Sequence, residues 1–183
     1  MIDGGTDGHI WSEIYDRQLT AENIFSIQSE IARAIATALK TRLTPPEQTR
    51  MQSVPTKSLV AYEAYLLGRQ ELAKRDTDSL VEAVEYFRKA SDLYPDFAHA
   101  WVGLADAQIA GAYTAGIPKE EAHASAASAL DKALELDTQL GEAYASLGYL
   151  NYRQDNLEAA GRYYDRALEL SPNYAELHLW YSL

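Results

Sequence analysis

The sequence predicts a mainly all-α chain: an antiparallel helix-pair solenoid of about three repeats, preceded by a short β-hairpin or strand and one long amphipathic helix. Three patterns point there. Matching residues recur at about 34-residue spacing from residue 59 onward. Apolar residues step by three and four between Ile24 and Leu39, and alternate by two before residue 17.

Taken in order, Asp3-Gly-Gly-Thr-Asp-Gly8 is dense in turn formers. Ile10 and Ile14 then alternate with Trp11 and Tyr15, which suits a strand with Ile2 on its hairpin partner. Ile24, Ile27, Ile31, Ile35, Ala38 and Leu39 line one face of a helix expected from Ala21 to Leu43, closed by Pro45-Pro46. Gln48 to Ser58 reads as a linker. Helices follow near 59–74, 79–93, 97–112, 118–136, 141–154 and 157–170, with a seventh from about 174. Ser79-Leu-Val-Glu82 and Asp155-Asn-Leu-Glu158 have capping-box spacing, and Pro118 fits a first helical turn.

Within the repeats, Leu67-Gly68, Leu104-Ala105 and Leu147-Gly148 align in a first helix. Ala83/Phe87/Ala90, Ala126/Leu130/Ala133 and Ala160/Tyr164/Ala167 align in a second. Each unit ends in a similar phrase: Asp92-Leu-Tyr-Pro95, Glu135-Leu-Asp-Thr138 and Glu169-Leu-Ser-Pro172. The small residues let helices approach while Phe87, Leu130 and Tyr164 fill the space beside them. This pattern resembles the tetratricopeptide repeat, with Tyr144 to Pro172 following it almost position for position. The resemblance covers 59–183, with repeats at about 61–97, 98–140 and 141–174 and the start of a fourth at 175–183. Thr138 stands where the pattern closes on proline. About three extra residues fall around Arg75-Asp-Thr77, and roughly nine between Gly111 and Lys119, where insertions are expected to form loops. The apolar ending Leu177-His-Leu-Trp-Tyr-Ser-Leu183 suggests an array that continues.

Residues 1–45 carry Ile2-Asp3, Gly8-His-Ile-Trp11, Tyr15-Asp-Arg17 and Ile27-Gln-Ser-Glu-Ile-Ala32. These resemble the last hairpin and helix of a TolB-like domain of bacterial regulatory and adenylate-cyclase-type proteins, with residues 46–58 as a linker. The resemblance implies a larger parent in which a winged-helix, cyclase or kinase unit comes first, then this domain, then the repeats.

Composition narrows the function. The 183 residues are 47% apolar, enough for a real core, and 16 Lys and Arg face 27 Asp and Glu for a net charge of −11. Such a chain does not neutralise nucleic-acid phosphates. Residues 59–183 hold 20 acids and 10 bases, whereas 1–58 hold 7 and 6, so two units of different character are expected. With no cysteine, disulfides, thiolate metal sites and cysteine nucleophiles are excluded. The longest uncharged stretch, Ala107 to Pro118, holds Gln108, Thr114 and helix breakers and does not span a bilayer. No basic region precedes an apolar run at the N-terminus, so no secretory signal is read and the expected location is the cytoplasm, any anchor lying in the parent.

A search for chemistry finds no catalytic set. His9, His99, His123 and His178 lack metal-binding spacing, although His9 and Glu13 share a strand face. Asp3, Asp7 and Glu13 miss the spacing of a calcium loop, and Gly4-Gly5 lacks the Lys-Ser/Thr of a phosphate loop. Ser125, His123 and Asp131 lack a nucleophile turn and fit a small-residue helix face. No enzyme activity, cofactor or metal is expected. In the resembled family the first helices line a concave groove, which here implies Tyr62, Tyr65, Arg69, Leu72, His99, Val102, Asp106, Ile109, Glu142, Ala145, Tyr149, Tyr152 and Arg153. Tyrosine and arginine suit protein recognition. The Lys and Asn that clamp a chaperone C-terminus in some members are replaced here by Tyr62, Arg69, His99 and Asp106. The expected function is a non-catalytic module binding a protein or peptide within a bacterial signalling protein. The alternative is an assembly segment of a multidomain enzyme or regulator, pairing copies through the Trp11/Tyr15 strand or the C-terminal helix.

Overall fold

The computed structural model describes residues 20–38, 55–116 and 118–171, all of whose regular elements are α-helices. The chain divides into two compact units, Met1–Val54 and Pro55–Leu183. The expected hairpin and the helix from about 174 lie outside the described residues, as does the extension of the first helix toward Leu43.

The first unit contains α1, Ala21–Ala38. Thr20 Oγ1 accepts the Asn23 N–H at 3.2 Å and so caps its first turn. Phe25 is buried, Ile24, Ile27 and Ile31 are half-buried, and Ile35 is exposed.

The second unit holds α2 (Leu59–Lys74), α3 (Thr77–Leu93), α4 (Ala98–Thr114), α5 (Lys119–Leu136), α6 (Gly141–Arg153) and α7 (Leu157–Leu170). Each helix packs on the next, and the first helices of successive pairs also touch, α2 on α4 and α4 on α6. That double adjacency is what makes a stack of pairs into a solenoid.

Local chemistry sets the ends. Ser58 caps α2 through the Ala61 N–H. For α3 the cap is Asp76, not Ser79: the Asp76 carboxylate accepts both the Ser79 N–H at 3.0 Å and its hydroxyl at 2.8 Å. For α7 it is Asn156, not Asp155. In both places the residue just before the cap, Arg75 or Asp155, has φ near +60°, which breaks the preceding helix and leaves the following residue to cap. Pro118 likewise sits just before α5, outside its first turn.

The closing turns use a device indifferent to proline. Trp101 Nε1 donates to the Pro95 carbonyl at 2.8 Å, and the Tyr144 hydroxyl donates to the Thr138 carbonyl at 3.3 Å. An aromatic donor six residues further along the chain grips the turn through its carbonyl, a group that Thr138 supplies as well as proline does.

The insertions are not loops. Relative to α6–α7, four of the nine extra residues in the middle pair lengthen the end of α4, four lengthen the start of α5, and one joins the connection. The three around Arg75-Asp-Thr77 chiefly start α3 a turn earlier. Added whole turns keep the apolar faces of paired helices in register, because one turn takes 3.6 residues, so insertion by helix extension preserves the buried seam.

The core is built on small residues against rings. Ala83, Ala90, Ala126, Ala133 and Ala167 have no exposure and Ala160 has 3%. Phe87, fully buried, lies between α2 and α4: a Cβ added at Gly68 would stand 2.9 Å from its ring, and one at Gly103 would overlap it. Tyr164 meets Gly148 in the same way. Burial pushes its hydroxyl pKa up to about 12, so it stays neutral.

Candidate functional site

Residues seven apart on a helix lie two turns apart on one face. The expected groove residues therefore fall into two faces, and the structure separates them. The first comprises Tyr62, His99 and Glu142, six residues before the small residue of each first helix, with Arg69, Asp106 and Tyr149 one residue after it. All six keep solvent access.

The second face turns inward, and here the expectation is corrected. Ile109 and Ala145 have no exposure and Val102 has 6%, so they form core and cannot touch a partner. Leu72 is half-buried against the cluster that holds Val102 and Ile109, and Tyr152 against the one that holds Ala145 and Tyr164. The stacking of α4 between its neighbours and the second helices covers this face. Tyr65 belongs to it through its ring, 5.0 Å from Phe97 and 5.8 Å from Phe87, but its hydroxyl reaches out to accept from Arg69 Nη1 at 3.1 Å.

Three helices thus bring Tyr65, Arg69, His99, Asp106 and Glu142 into one electrostatic neighbourhood. Burial raises the Tyr65 hydroxyl pKa; Arg69 works against the rise, and Glu142 and Asp106 add to it. Burial holds the His99 imidazole below its ordinary range, with Glu142 and Asp137 opposing and Arg69 reinforcing. His99 is therefore neutral near pH 7, able to donate and accept. Asp106 accepts the Ser146 hydroxyl at 2.6 Å, which ties α4 to α6 and orients the carboxylate. The result is a stripe of alternating character: aromatic, cationic, neutral imidazole and anionic.

Arg153 leaves the stripe. Its guanidinium donates to the Tyr149 hydroxyl at 2.8 Å and stacks 3.3 Å over the ring of Tyr113, a residue of the lengthened α4. Sequence reasoning missed Tyr113, Lys119 and Ser146 because their roles depend on helices from other repeats. Tyr113 and Lys119 flanking one turn was the available signal. Ser125 and His123 take separate partners, Gln108 at 2.7 Å and Tyr113 at 3.1 Å, so no triad forms. Among the described residues no group of three His, Asp or Glu could hold a metal, and no helix is long and apolar enough to cross a membrane.

Residues 141–174 match the tetratricopeptide repeat family. Over 104 residues, 57% of this chain, the sequence is 36% identical to "Putative adenylate cyclase 3" of Rhizobium meliloti (strain 1021), and the match covers 17% of that protein. The chain thus spans a small part of that relative. Among solved structures, the first TPR of Spaghetti (RPAP3) bound to the HSP90 peptide SRMEEVD superposes with a TM-score of 0.53 at 23% identity, covering 69% of this chain and 90% of that one. The helix pairs of the second unit have the tetratricopeptide-repeat fold, and residues 141–174 carry that family's sequence pattern.

Proposed function

We propose that the second unit is a non-catalytic interaction module that takes an extended peptide along the stripe formed by Tyr62, His99 and Glu142 with Arg69, Asp106 and Tyr149. One observation carries this reading: two rows of accessible side chains at seven-residue spacing recur on three stacked helices, giving one continuous surface of aromatic, cationic and anionic groups. A continuous surface suits a chain-like ligand, with tyrosine supplying area at low rotamer cost and Arg69 directional bonds. The fold shared with a repeat domain that is bound to a peptide supports it.

The likeness to an adenylate cyclase supports a setting in a larger bacterial signalling protein, in which the reading of residues 1–45 as the end of a TolB-like domain, 46–58 as a linker and 59–183 as the array finds its place. The assembly alternative concerns Trp11, Tyr15 and the C-terminal residues, which lie outside the described residues.

The test is selection of binding peptides from a random display library on the 183-residue chain, followed by calorimetric titration of the best peptide. Arg69→Ala with Tyr149→Ala should weaken it at least about tenfold with helicity unchanged. Equal affinity in the double variant refutes the stripe. Light scattering over a concentration series separates the alternative, since a concentration-independent monomer argues against assembly.

A further inference from the structure

The lengthened middle pair does more than extend the stack. The ends of α4 and α6 and the start of α5 border an open cleft of about 610 Å³, lined by Tyr113, Lys119, Glu120, His123, Arg153 and Gln154, with two alanines of α5 forming its apolar wall. That volume is in the range of small-molecule sites. Without the added turns of α4 and α5, Tyr113 and Lys119 would not exist at this place.

Two cations converge there on one ring. The Arg153 guanidinium carbon lies 3.3 Å from the Tyr113 centroid and Lys119 Nζ lies 4.7 Å from it, so the two charges stand no further apart than those distances together. Like charges so placed repel. Among the described residues neither has a carboxylate within ion-pair distance, although the chain carries a net −11 and Lys74, Lys132, Arg162 and Arg166 each have one.

The third group is His123. The Tyr113 hydroxyl proton is committed to the Arg153 carbonyl at 3.0 Å, so the hydroxyl can only accept from His123 Nε2, 3.1 Å away. Hydrogen-bond accounting therefore puts the imidazole proton on Nε2 and leaves Nδ1 as a second position that can take a proton. Burial keeps this ring below its ordinary pKa, and Arg153 and Lys119 press it lower while Glu120 opposes them. All three charged groups are thus close enough to act on His123.

We propose that this cleft binds an organic phosphate monoester, its dianion held between Lys119 and Arg153 and its organic part lying against Tyr113 and the apolar wall. A dianion removes the repulsion between two cations, which a single carboxylate would only half offset, and the cleft has room for more than a bare phosphate. Among the lining residues Glu120 is the one carboxylate, and it disfavours the ligand. The cleft shares no lining residue with the peptide stripe, although the Arg153 guanidinium touches the stripe through the Tyr149 hydroxyl.

The experiment uses the 183-residue chain with phenyl phosphate, inorganic phosphate and phenol as probes, read by calorimetry and by an NMR pH titration of the His123 ring. Phenyl phosphate should bind saturably and more tightly than inorganic phosphate, with phenol silent. Its binding should raise the His123 pKa. Lys119→Gln and Arg153→Gln should each weaken it about tenfold, Glu120→Gln should tighten it, and Arg69→Gln, on the stripe, should leave it unchanged. Lys119 is exposed, so its variant tests the site even where Arg153→Gln disturbs the end of α6. No saturable binding, a His123 pKa indifferent to ligand, or full affinity in Lys119→Gln overturns the proposal. Inorganic phosphate binding as tightly as phenyl phosphate overturns its organic part.

Discussion

In the α6–α7 pair Gly148 lies against the ring of Tyr164, and in the α4–α5 pair the matched positions are Ala105 and Leu130, both wholly buried. Where the first helix gains a methyl, the second loses a ring. The pairs differ in length as well: α4 and α5 have 17 and 18 residues, α6 and α7 have 13 and 14. Shared volume across the contact is kept, whereas length is free to change by whole turns. The extra length is where the middle pair acquires its cleft.

The largest effects should come from breaking the volume match. Phe87→Ala empties a fully buried site between α2 and α4 and is expected to cost about 3–5 kcal/mol by urea denaturation. Gly148→Ala should overpack the Tyr164 contact by about 1–3 kcal/mol. Adding Tyr164→Leu converts the third pair to the middle pair's solution, so the double variant should be more stable than the sum of the two singles predicts. Strict additivity would show that the two positions do not share one space.

The caps come next. Asp76→Ala and Asn156→Ala should each cost about 1 kcal/mol, while Glu82→Ala and Glu158→Ala, placed for the expected capping boxes, should cost less. A larger loss at Glu82 than at Asp76 would restore Ser79 as the cap.

The smallest effect is on pH. His99 and His123 have folded pKa values lowered from 6.5, chiefly by burial, so below pH 6.5 the unfolded chain takes up protons that the folded chain refuses. Their contribution is fully present above pH 6.5 and declines as pH falls from there through the lower folded values. Denaturation midpoints at pH 7.5 and 5.5 should differ in that sense, and His99→Gln should reduce the difference. Asp76, lowered from 3.8 mainly by the Ser79 N–H, adds a separate loss below that pH. A midpoint that rises toward pH 5.5 would contradict the burial of both rings.

Much of this was legible locally. The repeat of Leu-Gly, Ala and ring residues predicts the six helices of the second unit to within about two residues, because the same apolar spacing is required wherever one pair packs on another. The caps differ from the expectation because Asp76 and Ser79 both have an acceptor at workable spacing, and the choice turns on Arg75 leaving the helix at positive φ. The groove expected from the sequence is wider than the accessible stripe for a related reason. Tyr62 and Tyr65, or Arg69 and Leu72, look equally able to line a groove in sequence, and only the ring of Phe87 and the neighbouring helices decide which is covered.

From its sequence alone this protein's helical character, its repeat and its lack of cysteine chemistry were determined, since these follow from side-chain type and period within one or two turns of chain. Tertiary structure decided which face of each first helix meets solvent, that the inserted residues become helix, and that Tyr113, Lys119, His123 and Arg153 meet. Those outcomes depend on groups up to 40 residues apart, such as the Tyr113 hydroxyl and the Arg153 carbonyl, and no local pattern specifies a distance between helices of different repeats.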